Sequence, residues 1–146
     1  MTATNQFEDD LLDLIFTNVD APNVGDAGGL QNSAAATSIQ VSLHTATLSD
    51  TDTLSTASEA AYGSYAREVV ARSAAGWTVA SGTVDNDAAI TFTTATSGSE
   101  TETDFGLTLM STGNYLQIFG ALTSSLAVSS GITPEFAIGE LNISIN

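Results

Sequence analysis

The 146-residue chain has no cysteine, no lysine, a single histidine (His44) and two prolines, and its only cations are Arg67 and Arg72. Without cysteine there is no disulfide, no thiolate nucleophile and no thiolate metal site. One histidine cannot by itself build a histidine-rich zinc or iron centre, so no cofactor or metal is expected. The shortage of cations excludes nucleic acid as a partner, because proteins that bind it gain affinity by displacing counterions with Lys and Arg. An anionic membrane surface is excluded on the same ground. No apolar run approaches the ~20 residues needed to span a bilayer. The N-terminus lacks the basic and apolar regions of a secretory signal, so a soluble product made in the cytoplasm is expected.

What the chain does have is acid and β-forming sequence. Seventeen Asp and Glu give a formal charge of −15, yet hydrophobic residues make up 42% and charged residues only 13%. That is a globular composition, not a disordered acidic tail. Residues 5–18 carry helical periodicity: Phe7, Leu11, Leu14 and Ile15 share one arc that Leu12 and Phe16 extend, with Asp9, Asp10 and Asp13 opposite. Thr4 or Asn5 can cap the first turn. The segment 20–35, with Pro22 and Gly28-Gly29, reads as a connector or extended arm. Thereafter short β-type runs are separated by Ser, Thr, Gly, Asp and Asn. They are expected at 39–44, 62–70, 77–80, 88–94, 105–110, 115–122, 126–129 and 136–145, with polar loops at 49–58 and 95–103. The expectation is an all-β protein: an antiparallel sandwich or barrel of about eight strands with a short N-terminal α-helix and arm. Its parts would be residues 1–36, helix and arm, and 37–146, the β-domain, within one structural domain.

Chemistry-bearing residues are few, and no enzyme is expected. A catalytic reading of His44 would pair it with a Ser and an Asp, but no Gly-x-Ser-x-Gly context is present. The position falls on the polar face of its strand and suits a surface or hydrogen-bonded structural role. Asp50-x-Asp52 and Asp85-Asn86-Asp87 invite calcium, yet neither matches a calcium loop, and Asp and Asn are also what turns require. Arg67 and Arg72 can each be saturated by carboxylates, within the chain or between subunits. Helix residues Phe7, Leu11, Leu12, Ile15 and Phe16 form an arc wider than one core contact needs. Together with the two arginines they are the candidate interface. An alternative role in binding glycan would need exposed aromatics such as Trp77, Tyr62 and Tyr65.

Several segments taken in order carry a resemblance: Leu11–Phe16, Ile39–Thr47, Ala61–Arg67, Arg72–Val79, Asn86–Phe92, Phe105–Leu107, Gly120–Thr123, Val128–Gly131 and Phe136–Ile143. Each is short, but together they span nearly the whole chain. The pattern resembles a family of small tailed-bacteriophage virion proteins, described as head decoration (cement) or tail-fibre proteins. The resemblance implies a jelly-roll-like sandwich, a homotrimer bound to the major capsid protein on the outer surface of the phage head, and no catalytic residues. The segment between helix and first strand is longer and richer in glycine than the family's usual join. A tail-fibre or receptor-binding β-module remains the alternative.

Overall fold

The structure, a computed structural model, describes residues 3–109 and 116–145. The chain divides into two compact units, one built from Met1–Ser38, Ala71–Ile90 and Phe136–Asn146, the other from Ile39–Val70 and Thr91–Glu135. Its elements are helix α1 (Asn5–Leu12), a π-helical turn (Asp13–Thr17), and strands β1 (Ser38–His44), β2 (Glu68–Ala71), β3 (Trp77–Ala80), β4 (Thr83–Asn86), β5 (Ile90–Thr91), β6 (Ser99–Leu109), β7 (Ile118–Ser129), β8 (Glu135–Phe136) and β9 (Asn142–Ser144). The strands form sheets in the orders β2-β1-β6-β7, β3-β4-β9 and β5-β8. The β1–β6, β6–β7, β3–β4 and β4–β9 pairings are antiparallel. The expected all-β class with one short N-terminal helix is borne out, and the sheets are consistent with a β-sandwich.

In the first unit, α1 packs on β3 and β4. Its contact face differs from the one the helical wheel selects. Leu12 and Phe16 are fully buried, but Phe7 is 43% exposed while Glu8 and Asp10 are buried. The π-helical turn at Asp13–Thr17 adds a residue to the turn and rotates the residues beyond it, so Glu8, Leu12 and Phe16 line up on the sheet. Phe16 meets Trp77 edge-on with ring centroids 5.0 Å apart. Asp9 accepts the Gly82 N–H at 2.6 Å, tying the helix to the β3–β4 turn. Thr4 occupies the N-cap position without making a side-chain cap. At the other end Asn18 adopts the left-handed conformation (φ 59°) that stops a helix.

The connector after the helix is folded back rather than extended. Ala21 and Leu30 exchange backbone hydrogen bonds at 2.9 and 3.0 Å. The Asn18 amide brackets the Ser33 backbone, donating to its carbonyl and accepting its N–H. Strand β4 is an addition to the expected set: the Ser81-Gly82 turn opens it, and its Asp85 and Asn86 look like loop residues in the sequence.

In the second unit β1 pairs with β6 from Ile39↔Leu109 to His44↔Asp104. Ile39, Val41, Leu43 and Leu107 are buried as alternation requires. Two expectations are corrected here. The supposed polar loop 95–103 enters strand β6 at Ser99, because Thr101 and Thr103 fit a half-wet pleat while Glu100 and Glu102 turn inward. The runs 115–122 and 126–129 belong to one strand, β7, with residues 122–125 opposite Thr103 alone in a bulge-like register shift. Met110 and Tyr115, expected strand ends, lie outside the described residues.

Candidate functional site

The opposite face of the β1–β6 pair is where polar groups gather. Ser42, His44, Glu102, Asp104 and Thr108 are all buried. His44 is therefore not at the surface, as it would be if only one face of β1 were covered. Its Nε2 lies 2.9 Å from Ser42 Oγ, and that hydroxyl donates to the Gly106 carbonyl at 3.2 Å. The hydroxyl hydrogen being used there, the pattern assigns the ring hydrogen to Nε2. Burial holds the imidazole below its usual pKa, with the Arg67 charge adding to the effect against Glu59 and Asp104.

This brings a Ser, a His and an Asp onto neighbouring strand positions, yet not into a nucleophilic relay. His44 Nδ1 has no hydrogen-bond partner, so no carboxylate orients the ring. Asp104 instead accepts the Leu48 N–H at 3.4 Å. A Cβ added at Gly106 would lie 2.5 Å from Leu116 Cδ1 and 2.9 Å from His44 Nε2. Backbone and ring are thus closely packed at Gly106, and the Ser42 hydroxyl links β1 to β6 through the Gly106 carbonyl.

Toward the start of β6 the same face carries a pair of carboxylates, Glu100 and Glu102. Glu100 Oε1 accepts the N–H groups of Ala61 and Tyr62 at 2.9 and 2.8 Å. Glu102 is 0% exposed, and neither of its carboxyl oxygens meets a donor, although the Glu100 carboxyl lies within hydrogen-bonding reach once the pair holds a proton. Burial, reinforced by the adjacent Glu100, pushes its pKa up to about 7. Tyr62 Oη and Trp77 Nε1 are likewise buried without partners. The sequence reading did not single out these glutamates, though Ser-Glu-Thr-Glu-Thr from Ser99 carries the period-two signal of a strand.

The two arginines flank β2 rather than lying within it, and they end in different environments. Arg67 makes a two-pronged contact with Glu59, Nε to Oε1 at 2.7 Å and Nη2 to Oε2 at 2.6 Å. Tyr65 Oη also donates to Glu59 Oε1, at 2.9 Å. Burial works to raise the Glu59 pKa, but these hydrogen bonds and the Arg67 charge outweigh it and hold the carboxyl below its usual value. Among the described residues Arg72 takes no carboxylate. It donates to the carbonyls of Ile15 (2.6 Å) and Leu14, and to Ser33 Oγ and the Ala36 carbonyl at 3.3 Å each. It thereby satisfies carbonyls that the end of a helix leaves free.

The candidate interface is thus split by the fold. Leu12, Phe16 and Arg72 are interior, Arg67 is paired within the chain, Leu11 and Ile15 are half-buried, and Phe7 faces outward. Of the aromatics that a glycan contact would need exposed, Trp77 and Tyr62 are buried and Tyr65 is half-buried. Asp50-x-Asp52 makes a turn, whereas Asp85-Asn86-Asp87 closes strand β4. Asp52 accepts from the Ser49 N–H and Oγ at 2.7 and 2.9 Å, and Asn86 bonds the Ala88, Ala137 and Leu141 backbone. Among the described residues no group of three or more His, Asp or Glu is arranged to hold a metal ion.

The family model described as podophage GP4 fiber I protein gp80 matches residues 2–144. The chain belongs to this family. Membership makes it a structural protein of a bacteriophage particle, as the ordered segments from Leu11 to Ile143 implied. A comparison with curated proteins finds no match.

Proposed function

We propose that the chain is a non-catalytic subunit of the phage particle's exterior that works by associating with copies of itself and docking on another virion protein. The observation that carries this is the family match across residues 2–144. Placement in a fibre is supported by the family's description. Placement on the head surface, as a homotrimeric decoration protein bound to the major capsid protein, is supported by the segment-by-segment resemblance and by an apolar residue, Phe7, presented outward on the N-terminal helix. In either place identical weak contacts add up through symmetry. On the head, binding only the assembled shell would stabilise it by mass action.

The two placements separate in one experiment. Purified protein is sedimented with undecorated capsids, and in parallel tested for binding to host cells and for blocking of adsorption. Saturable capsid binding supports the head placement. Adsorption blocking without capsid binding supports the fibre. Failure of both, with the protein absent from purified particles, overturns the proposal.

A further inference from the structure

Resting on that reading, the structure identifies where copies meet. We propose that the outer edge of β7 pairs with a second copy of this chain. β7 is an end strand of its sheet, and it is 12 residues long. Among the described residues nothing hydrogen-bonds along its outer edge from Ile118 to Val128, so a row of backbone N–H and C=O groups is left open. Such an edge is a template for another strand, and proteins that must avoid pairing blunt it with charge, proline or shortness. The opposite end strand, β2, has two of these devices: it is four residues long and begins at Glu68. β7 has only its bulge at 122–125, which leaves two regular runs, 118–121 and 126–129.

Charge selects the occupant. Residues 105–134 form the longest stretch of the chain without Asp, Glu, Lys or Arg, 30 residues in a molecule of formal charge −15. Two such molecules repel wherever their carboxylates face each other, and the cations that could bridge them are absent, since Arg67 and Arg72 are both engaged internally. The β7 edge is a surface on which one copy can approach another without opposing like charges. Its outward residues suit a sheet contact: Ala121, Thr123, Ala127 and Ser129 are exposed and small, and Phe119 is 37% exposed.

The test uses the full chain. Sedimentation equilibrium of the wild type is compared with Ala121→Glu/Ala127→Glu and with a control, Ala74→Glu, at an exposed position outside β7. The wild type and control are expected at a multiple of 14.9 kDa, and the double variant at 14.9 kDa with an unchanged far-UV circular dichroism spectrum. Hydrogen exchange of the wild type, run dilute and concentrated, is expected to show protection rising in Ile118–Ser129 with concentration. This readout stands even if the variant fails to fold. An oligomer that survives both substitutions, or protection that rises elsewhere, overturns the edge assignment and leaves self-association intact. A monomeric wild type overturns both. Protection of β7 that appears only when another virion protein is added overturns the assignment to a second copy.

Discussion

Replacing Glu102 by Gln should stabilise the protein above neutral pH and remove a component of its pH dependence. Glu102 is fully buried, its carboxyl oxygens have no donors, and Glu100 lies two residues away on the same strand. The rise in its pKa from 4.5 to about 7 corresponds to about 3 kcal/mol. The sign is set by linkage. Between those values the folded state binds the proton and the unfolded state does not, so stability falls as pH rises from about 4.5 to 7 and is level beyond. Gln is neutral throughout and nearly isosteric. Urea unfolding of both proteins at pH 5 and pH 8, monitored by circular dichroism, isolates Glu102 together with its coupling to Glu100, because the carboxylates not coupled to it cancel in the difference. The variant is expected to gain up to about 3 kcal/mol on the wild type between pH 5 and pH 8. A difference between the two proteins that does not change with pH would refute the reasoning.

Other perturbations have equally definite outcomes. Glu59→Gln should flatten the acid side of the profile: the wild-type carboxyl, held below its usual value by Arg67 and Tyr65, stabilises the fold above pH 4.5 and loses that contribution as pH falls, opposite in sense to Glu102. Phe16→Ala should cost about 3–5 kcal/mol and shift the emission of Trp77, the aromatic partner 5.0 Å away. Arg72→Leu should cost about 3 kcal/mol or more by leaving the Leu14 and Ile15 carbonyls without their donor. Arg72→Lys is expected to recover part of that, read by urea midpoint.

The sequence conveyed alternation well and coverage poorly. Ile39, Val41 and Leu43 announce β1 because one face of that strand is apolar, and β3 and β9 are announced by similarly placed apolar residues. What alternation cannot convey is that a polar face is also covered, which is why the sequence leaves His44 between a surface and a hydrogen-bonded structural role and only the fold shows it buried. Ser99–Thr103 reads as a loop because its inward residues are glutamates, a choice few strands make. The helix is legible but its contact face is not, since a π-helical turn changes the angle per residue on which any wheel depends. Arg72 stands out among so few cations, but its partners are backbone carbonyls brought close only by folding, and sequence carries no trace of them.

The central claim, that this chain is an exterior structural subunit of the phage particle, is tested most directly by immunogold electron microscopy of purified phage. The account expects label at symmetric positions on the outside of intact particles, on fibres or on the head. Particles that carry no label, with the protein recovered only from the lysate that produced them, would contradict it.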